Sequence, residues 1–173
     1  MEEIFEILKY ILPSLIVFGT AYYLIRLYLT NDYNKKLLDL KQNSKNLVTP
    51  LRLQAFERII MLLERISPSN LIIRMNNPSF NAAQLQSVLV RAIRDEFDHN
   101  LSQQVYISSV SWDLLKNAKE ETIKLINLAS SGMPQGASST ELATRILELY
   151  YSIEKPPIYI AQEYIKNEIR TLF

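Results

Sequence analysis

One short segment carries residues that could do chemistry together: Glu96 and His99, spaced Glu-x-x-His, with Gln103 four residues further on. Residues advance by about 100° each along an α-helix, so these positions lie within about 40° of a line that also carries Leu85 and Leu89. The spacing therefore predicts that three polar side chains project from the core face of a helix. Polar groups on an apolar face often mark a functional site.

A metal or acid–base centre is one interpretation of this segment. Glu-x-x-His on a bundle helix is half of a dicarboxylate di-iron pattern, which requires a second Glu-x-x-His. His99 is the single histidine of the chain, so the second half cannot form. A mononuclear site would have to recruit carboxylates such as Glu120 or Glu121, which is a poor ligand set for a transition metal. We therefore expect no bound metal, no cofactor and no catalytic residue.

A structural interpretation competes with the chemical one. Buried polar groups without a hydrogen-bond partner cost about 1–3 kcal/mol each, so a buried cluster has to satisfy itself. We expect either such a polar network or a partner-binding site, with the tryptophan packing the junction between helices. The candidate members are Glu96, His99, Gln103, Gln104, Tyr106 and Trp112.

The composition excludes several other classes of site. Cysteine is absent, which rules out disulfides, thiolate catalysis and cysteine-based zinc sites. The 3 glycines cannot form a phosphate-binding loop or a dinucleotide-binding turn. A formal net charge of +1 gives no overall bias toward nucleic acid.

The most apolar stretch is residues 10–30, in which Arg26 is the single charge. A membrane-crossing helix needs about 20 mostly apolar residues, so the sequence predicts one transmembrane span. A cleavable signal peptide is the alternative, but an acidic start and the bulky Tyr22 and Tyr23 near its end are not typical of one. We expect the span to be retained.

Basic residues on either side of this stretch predict its orientation. One lysine precedes it, and the basic residues near its far end are Arg26, Lys35, Lys36, Lys41 and Lys45. Lys and Arg near a span remain on the cytoplasmic side, so the sequence predicts a single-pass protein whose C-terminal domain lies in the cytoplasm. The same five residues are candidates for contact with the membrane surface.

Helical periodicity continues through the rest of the chain. We expect residues 1–30 to form the anchor, residues 31–48 a basic linker that loses helical character near residues 42–47, and residues 49–173 one cytoplasmic helical domain. The expected fold class is all-α, a transmembrane helix followed by a bundle of four to five helices. Helix starts are expected at Pro50, Asn81, Ser108 or Ser109, Ser139 and Pro157.

Two segments leave their secondary structure open. Residues 71–75 are apolar and fit either one or two helical turns or a short strand. Residues 105–110 have some strand character, yet the serines at their end are equally typical of a helix start.

Two motifs resemble a known family. Residues 94–108 read RDEFDHNLSQQVYIS, and residues 51–58 read LRLQAFER ahead of LERISP at residues 63–68. They resemble a family of short bacterial proteins of unknown function with an N-terminal membrane span and an EFEHNLSQQ(L/I)Y(V/I)S centre. Phe56 and Asp98 stand where that family is expected to have Tyr and Glu. The resemblance covers residues 1 to about 130 and implies the bacterial inner membrane as location, but no activity or partner.

These observations together predict a membrane-anchored, non-enzymatic interaction or scaffold module at the cytoplasmic face of the membrane. Its expected partners are the membrane itself and another protein, or a second copy of the chain, and no nucleic acid. The alternative is a membrane-associated enzyme or metal-dependent protein centred on Glu96 and His99.

Overall fold

A computed structural model describes the backbone of residues 2–172, and their side chains except at residues 2–10, 12, 34, 41, 43–45 and 172. This part of the chain is all-α, which confirms that part of the predicted fold class. Its helices are α1 (Glu2–Ile66), α2 (Pro68–Met75), α3 (Ala82–His99), a 3-10 helix (Leu101–Val105), α4 (Ser109–Ser131), α5 (Ser139–Tyr151) and α6 (Pro157–Leu172).

The chain divides into two compact units, Met1–Thr49 and Pro50–Phe173. The first unit is formed by α1 up to Thr49, and the second by the rest of α1 with the helices that follow. The α1 helix is unbroken through residues 42–47, where we expected it to lose helical character, and through Pro50, where we expected a new start. Residues 42–47 contain neither glycine nor proline, so no strong helix breaker stands there.

The predicted transmembrane span is wrong. Among the residues that the structure describes, no helix is both long enough and apolar enough to cross a membrane. Four polar residues interrupt residues 11–30: Ser14, Thr20, Arg26 and Thr30. The predicted single-pass topology and the inner-membrane location depended on that span and are corrected with it.

The second unit has one core, to which each of its α-helices contributes one face. The apolar positions recur every three or four residues, so each helix buries one stripe. The α4 helix lies against α3, α5 and α6 and is therefore central to the packing. The largest fully buried side chains are Phe56, Ile59, Leu62, Leu63, Ile66, Leu71, Leu85, Leu89, Ile93, Leu115, Ile126 and Leu142.

Neither of the two segments left open by the sequence is a strand: residues 71–75 are helical, and residues 105–110 comprise the end of a 3-10 helix, a short connection at 106–108 and the start of α4. Residues 71–75 belong to α2, a helix of 8 residues that starts at Pro68. Residues 101–105 form the 3-10 helix, and Ser108 caps α4 by accepting a hydrogen bond from the N–H of Ser111 at 3.1 Å. A side-chain oxygen at this position satisfies a backbone donor of the first helical turn, which is why serine suits it.

The N-termini of α3 and α5 are also capped by side chains. Asn81 and Ser138 are N-caps, and each forms a capping box with the residue three positions later, Gln84 and Glu141 respectively. The predicted cap at Asn81 is confirmed. The predicted helix start at Ser139 is also confirmed, and the residue that caps it is Ser138.

These two helix starts are also joined by an isolated antiparallel bridge between Asn81 and Ser138. The N–H of Ala82 donates to the carbonyl of Ala137 at 2.9 Å. The N–H of Ser139 donates to the carbonyl of Phe80 at 3.1 Å. The first N–H groups of a helix have no partner within it. Here the N–H groups of Ala82 and Ser139 each find an acceptor in the segment that precedes the other helix.

Candidate functional site

The predicted polar cluster lies at the edge of the core rather than inside it. The buried large side chains of α3 recur every fourth residue: Leu85, Leu89, Ile93 and Phe97. This line continues into Asn100, which is 5% exposed, whereas His99 is exposed. The buried stripe drifts along the helix, so a line drawn from Leu85 no longer points into the core at position 99.

Glu96 has a partner that the sequence did not reveal. Its carboxylate oxygen Oε2 lies 2.9 Å from Nε of Arg65 on α1, and the Glu96 side chain is mostly buried while Arg65 is half exposed. The buried Asn100 side chain donates to the backbone carbonyl of Glu96 at 2.8 Å. The carboxylate charge is thus compensated by a guanidinium, which is the pairing that a partly buried carboxylate requires.

A shallow cleft of about 420 Å³ surrounds this ion pair, and Arg74 and His99 contribute to its walls. Arg74 donates to the backbone carbonyl of Arg65 at 3.2 Å, so it ties α2 to the end of α1. Within the described residues, no group of three or more His, Asp or Glu side chains is placed to hold one metal ion. The cleft therefore presents the Arg65–Glu96 ion pair, two further charged residues, Arg74 and Asp95, and the exposed imidazole of His99.

The remaining candidate residues have different neighbours from one another. The Gln103 amide donates to Ser102 at 3.1 Å, and Gln104 is exposed. Tyr106 contributes its backbone carbonyl, which accepts from Nε of Arg52 at 3.1 Å. Trp112 packs on Phe97 with ring centroids 5.3 Å apart, at the contact of α3 with α4. The structure brings Glu96 and His99 to one cleft but does not gather the six residues around a single centre.

A carboxylate at the start of α4 was also missed by the sequence. Glu168 of α6 accepts from the Ser108 hydroxyl at 2.7 Å and from the Ser111 hydroxyl. It also accepts from the Ser108 N–H at 3.3 Å. A negative charge at a helix N-terminus is favoured by the helix dipole, so this cluster fastens α6 to α4.

A larger concave surface of the second unit lies elsewhere, among α2, α4, α5 and α6. We call it the apolar groove, and it has a volume of about 630 Å³. Its apolar lining is Pro68, Leu125, Leu128, Leu149, Ile153 and Ile158, with Lys124 and Lys155 among its polar lining residues. These residues come from four segments that are distant in sequence. The one sequence-level signal is Leu128, which stands off the buried stripe of α4.

Tyr150 also lines the apolar groove. Burial raises the pKa of its phenol above the ordinary tyrosine value, and the charges of Tyr151 and Glu64 act in the same direction. The hydroxyl therefore keeps its proton at neutral pH and can donate a hydrogen bond. It adds a neutral donor to a surface whose other polar groups are mostly charged.

The first unit carries a different kind of surface, which we call the α1 stripe. Its members are Leu15, Phe18, Tyr22, Ile25, Leu29, Tyr33, Leu37, Leu40 and Leu47. They follow one another at intervals of three or four residues except for the last, and their exposure ranges from 38% at Leu37 to 73% at Leu47. Residues at these intervals share one side of a helix, so the stripe is a continuous apolar surface.

The basic residues predicted to meet a membrane surface flank this stripe. Arg26, Lys35 and Lys36 are exposed, and Nζ of Lys36 lies 2.8 Å from the carboxylate of Asp32. The side chains of Lys41 and Lys45 lie outside the described residues. Of the basic residues predicted to contact a membrane surface, Lys36 thus forms an ion pair within its own helix.

The chain belongs to a family of unknown function, DUF7935, whose model matches residues 2–172. The resemblance implied a family without an assigned activity, which agrees with this match. The match extends beyond the region from residue 1 to about 130 that the resemblance covered. The membrane span attributed to that family is not supported in this chain. No curated protein and no solved structure matches it.

Proposed function

We propose that this chain is a non-enzymatic interaction module that associates with a second copy of itself through the α1 stripe. The observation that carries the proposal is the row of exposed apolar side chains from Leu15 to Leu47. Contiguous exposed apolar surface of this extent is typical of interaction sites, because its burial is favourable by about 25 cal/mol per Å².

The spacing of the stripe favours a helix as its partner. Positions 15, 18, 22, 25 and 29 alternate steps of three and four residues, which is the seam of a coiled coil. Two successive steps of four follow, to 33 and 37, before a step of three to 40. The extra steps of four residues interrupt the regular alternation of three and four. An interruption of this kind is called a stutter, and coiled coils accommodate it by local unwinding.

The polar residues beside the stripe support the same partner. Between Tyr33 and Leu47 the other positions are mostly charged or amide residues, so this part of α1 is amphipathic. Lys36 and Asp32 already pair across one helical turn. A second copy would supply an identical apolar seam with the same polar borders, which is the complementarity of a two-fold interface.

The alternative of an enzyme centred on Glu96 and His99 is less well supported. The Glu96 carboxylate is engaged by Arg65 at 2.9 Å, and His99 is exposed beside it. A general base has to be within hydrogen-bond reach of its substrate proton, and an ion-paired carboxylate is less available for that role.

Light scattering coupled to gel filtration tests the proposal on the full chain. We expect the mass of two chains for the unmodified protein, and a shift to one chain for Leu40→Glu, because a charge in an apolar seam has no partner. The matched control is Leu38→Glu, since Leu38 is as exposed as Leu40 but lies off the stripe. This control is expected to remain a dimer.

Single cysteines sharpen the test, because the chain has none of its own. Mild oxidation of Leu40→Cys should give a disulfide-linked dimer if the two stripes run parallel, and Leu38→Cys should not. Three results would contradict the proposal: a monomeric parent chain, equal effects of the Leu38 and Leu40 substitutions on mass, or uptake of a monomer by phosphatidylcholine vesicles.

A further inference from the structure

We infer that the apolar groove binds a single-chain amphiphile, a long alkyl carboxylate whose tail lies along the groove and whose head meets Lys124 and Lys155. This inference is independent of the proposed self-association, which concerns the other unit. A volume of about 630 Å³ lies within the range of small-molecule pockets, about 300–1,000 Å³.

The apolar walls select the tail. Leu125 and Leu128 of α4, Leu149 of α5 and Ile158 of α6 all line the groove. Leu128 is 65% exposed although it belongs to the second unit, whose other leucines are mostly buried. An alkyl chain in the groove would remove this surface from water and gain about 0.8 kcal/mol per buried methylene.

The lysines select the head. Lys155 has no ion pair among the described residues, whereas Nζ of Lys124 lies 2.6 Å from the carboxylate of Glu121. Two ammonium groups against the one carboxylate of Glu121 give the lining of the groove a net positive charge. The Tyr150 hydroxyl is a third donor in the lining. A carboxylate head accepts hydrogen bonds from both kinds of donor.

Calorimetric titration of the full chain with dodecanoate below its micellar concentration tests the inference. We expect saturable binding of one molecule that tightens by about fourfold per methylene from octanoate to dodecanoate. Dodecyltrimethylammonium, which has the same tail and a cationic head, should bind more weakly. Equal affinities for the two head groups would overturn the inference.

Substitutions then locate the amphiphile. Leu128→Trp should fill the mouth of the groove and weaken dodecanoate binding at least tenfold, while Ile73→Trp, at an exposed position outside the groove, should not. Lys124→Gln should weaken dodecanoate up to about fivefold. Its control is Lys116→Gln, also on α4 and paired one turn back, with Nζ 2.7 Å from Asp113.

Binding that Leu128→Trp leaves unchanged would place the amphiphile elsewhere, for example on the α1 stripe, and would overturn the inference. The unfolding temperature of each variant is the folding control, and Leu128 is exposed enough that its substitution should leave this temperature unchanged. The Leu40→Glu variant should keep its dodecanoate affinity, so failure of one proposal is distinguishable from failure of the other.

Discussion

Phe18 and Phe56 belong to the same helix, α1, yet Phe18 is 71% exposed and Phe56 is 0% exposed. Phe56 lies in the second unit, where its helix meets others and its ring joins their core. Phe18 lies in the first unit, where the apolar side chains that the structure describes are exposed. Residue type and helical spacing are alike in the two stretches. Whether an apolar side chain of α1 is buried therefore depends on whether other helices of the same chain pack against it.

The largest expected effect tests this difference directly. Phe56→Ala should lower the free energy of unfolding of the second unit by about 3–5 kcal/mol, because it leaves a cavity in a packed core. Phe18→Ala should leave that free energy unchanged and weaken dimerisation instead. Urea unfolding followed by circular dichroism measures the first quantity, and light scattering measures the second. A large loss of unfolding free energy in Phe18→Ala would contradict the comparison.

A second pair of neighbours, Asn100 and His99, repeats the comparison for polar residues. Asn100→Ala should cost about 1–3 kcal/mol of unfolding free energy, because its buried amide donates to the carbonyl of Glu96. His99→Ala should change it by no more than about 0.5 kcal/mol, because His99 is exposed. The same urea titration distinguishes the two. A larger cost for His99→Ala than for Asn100→Ala would show that the imidazole is the structural member of the pair.

The smallest expected effect concerns an exposed cap. Ser138→Ala should cost about 1 kcal/mol of unfolding free energy, because the hydroxyl caps the first turn of α5. Thr140→Ala, on the same turn, is the control, because the Thr140 side chain makes no capping bond. Thermal unfolding at pH 7 measures both. Equal losses in the two variants would mean that the cap contributes nothing.

The same cap gives a pH dependence with a definite sign. Hydrogen bonds from the backbone and hydroxyl of Ser138 lower the pKa of Glu141 below its ordinary value of 4.5. A carboxyl whose pKa is lower in the folded chain stabilises it above the unfolded-state pKa, and this contribution is lost as pH falls through the folded-state pKa. Glu141→Gln should therefore flatten the stability profile below about pH 5. An unchanged profile would contradict this assignment.

The sequence predicted most of the helices because their signals are local. Asn81 caps α3, Pro68 separates α1 from α2, and Gly132 follows α4, each for reasons that lie within a few residues of chain. Buried stripes were also readable, since Leu85, Leu89 and Ile93 repeat at helical spacing. Local propensity and apolar periodicity agree in these elements, which is the condition for predicting them.

The candidate sites were harder to predict because they depend on distant residues. Glu96 was expected to pair with polar residues that follow it closely in sequence or with a loop backbone, but its partner Arg65 comes from α1. The apolar groove draws on four segments, and no periodicity within one helix reveals it. The membrane span was predicted from a run of apolar residues alone, but among the described residues no helix is both long and apolar enough to cross a membrane.

The short bridge between Asn81 and Ser138 couples two parts of the fold that are far apart along the chain. Neither helix start can fray without breaking the hydrogen bonds that it shares with the other, between Ala82 and Ala137 and between Ser139 and Phe80. The amide protons of Ala82 and Ser139 should therefore exchange with deuterium at a common rate, as members of one opening unit.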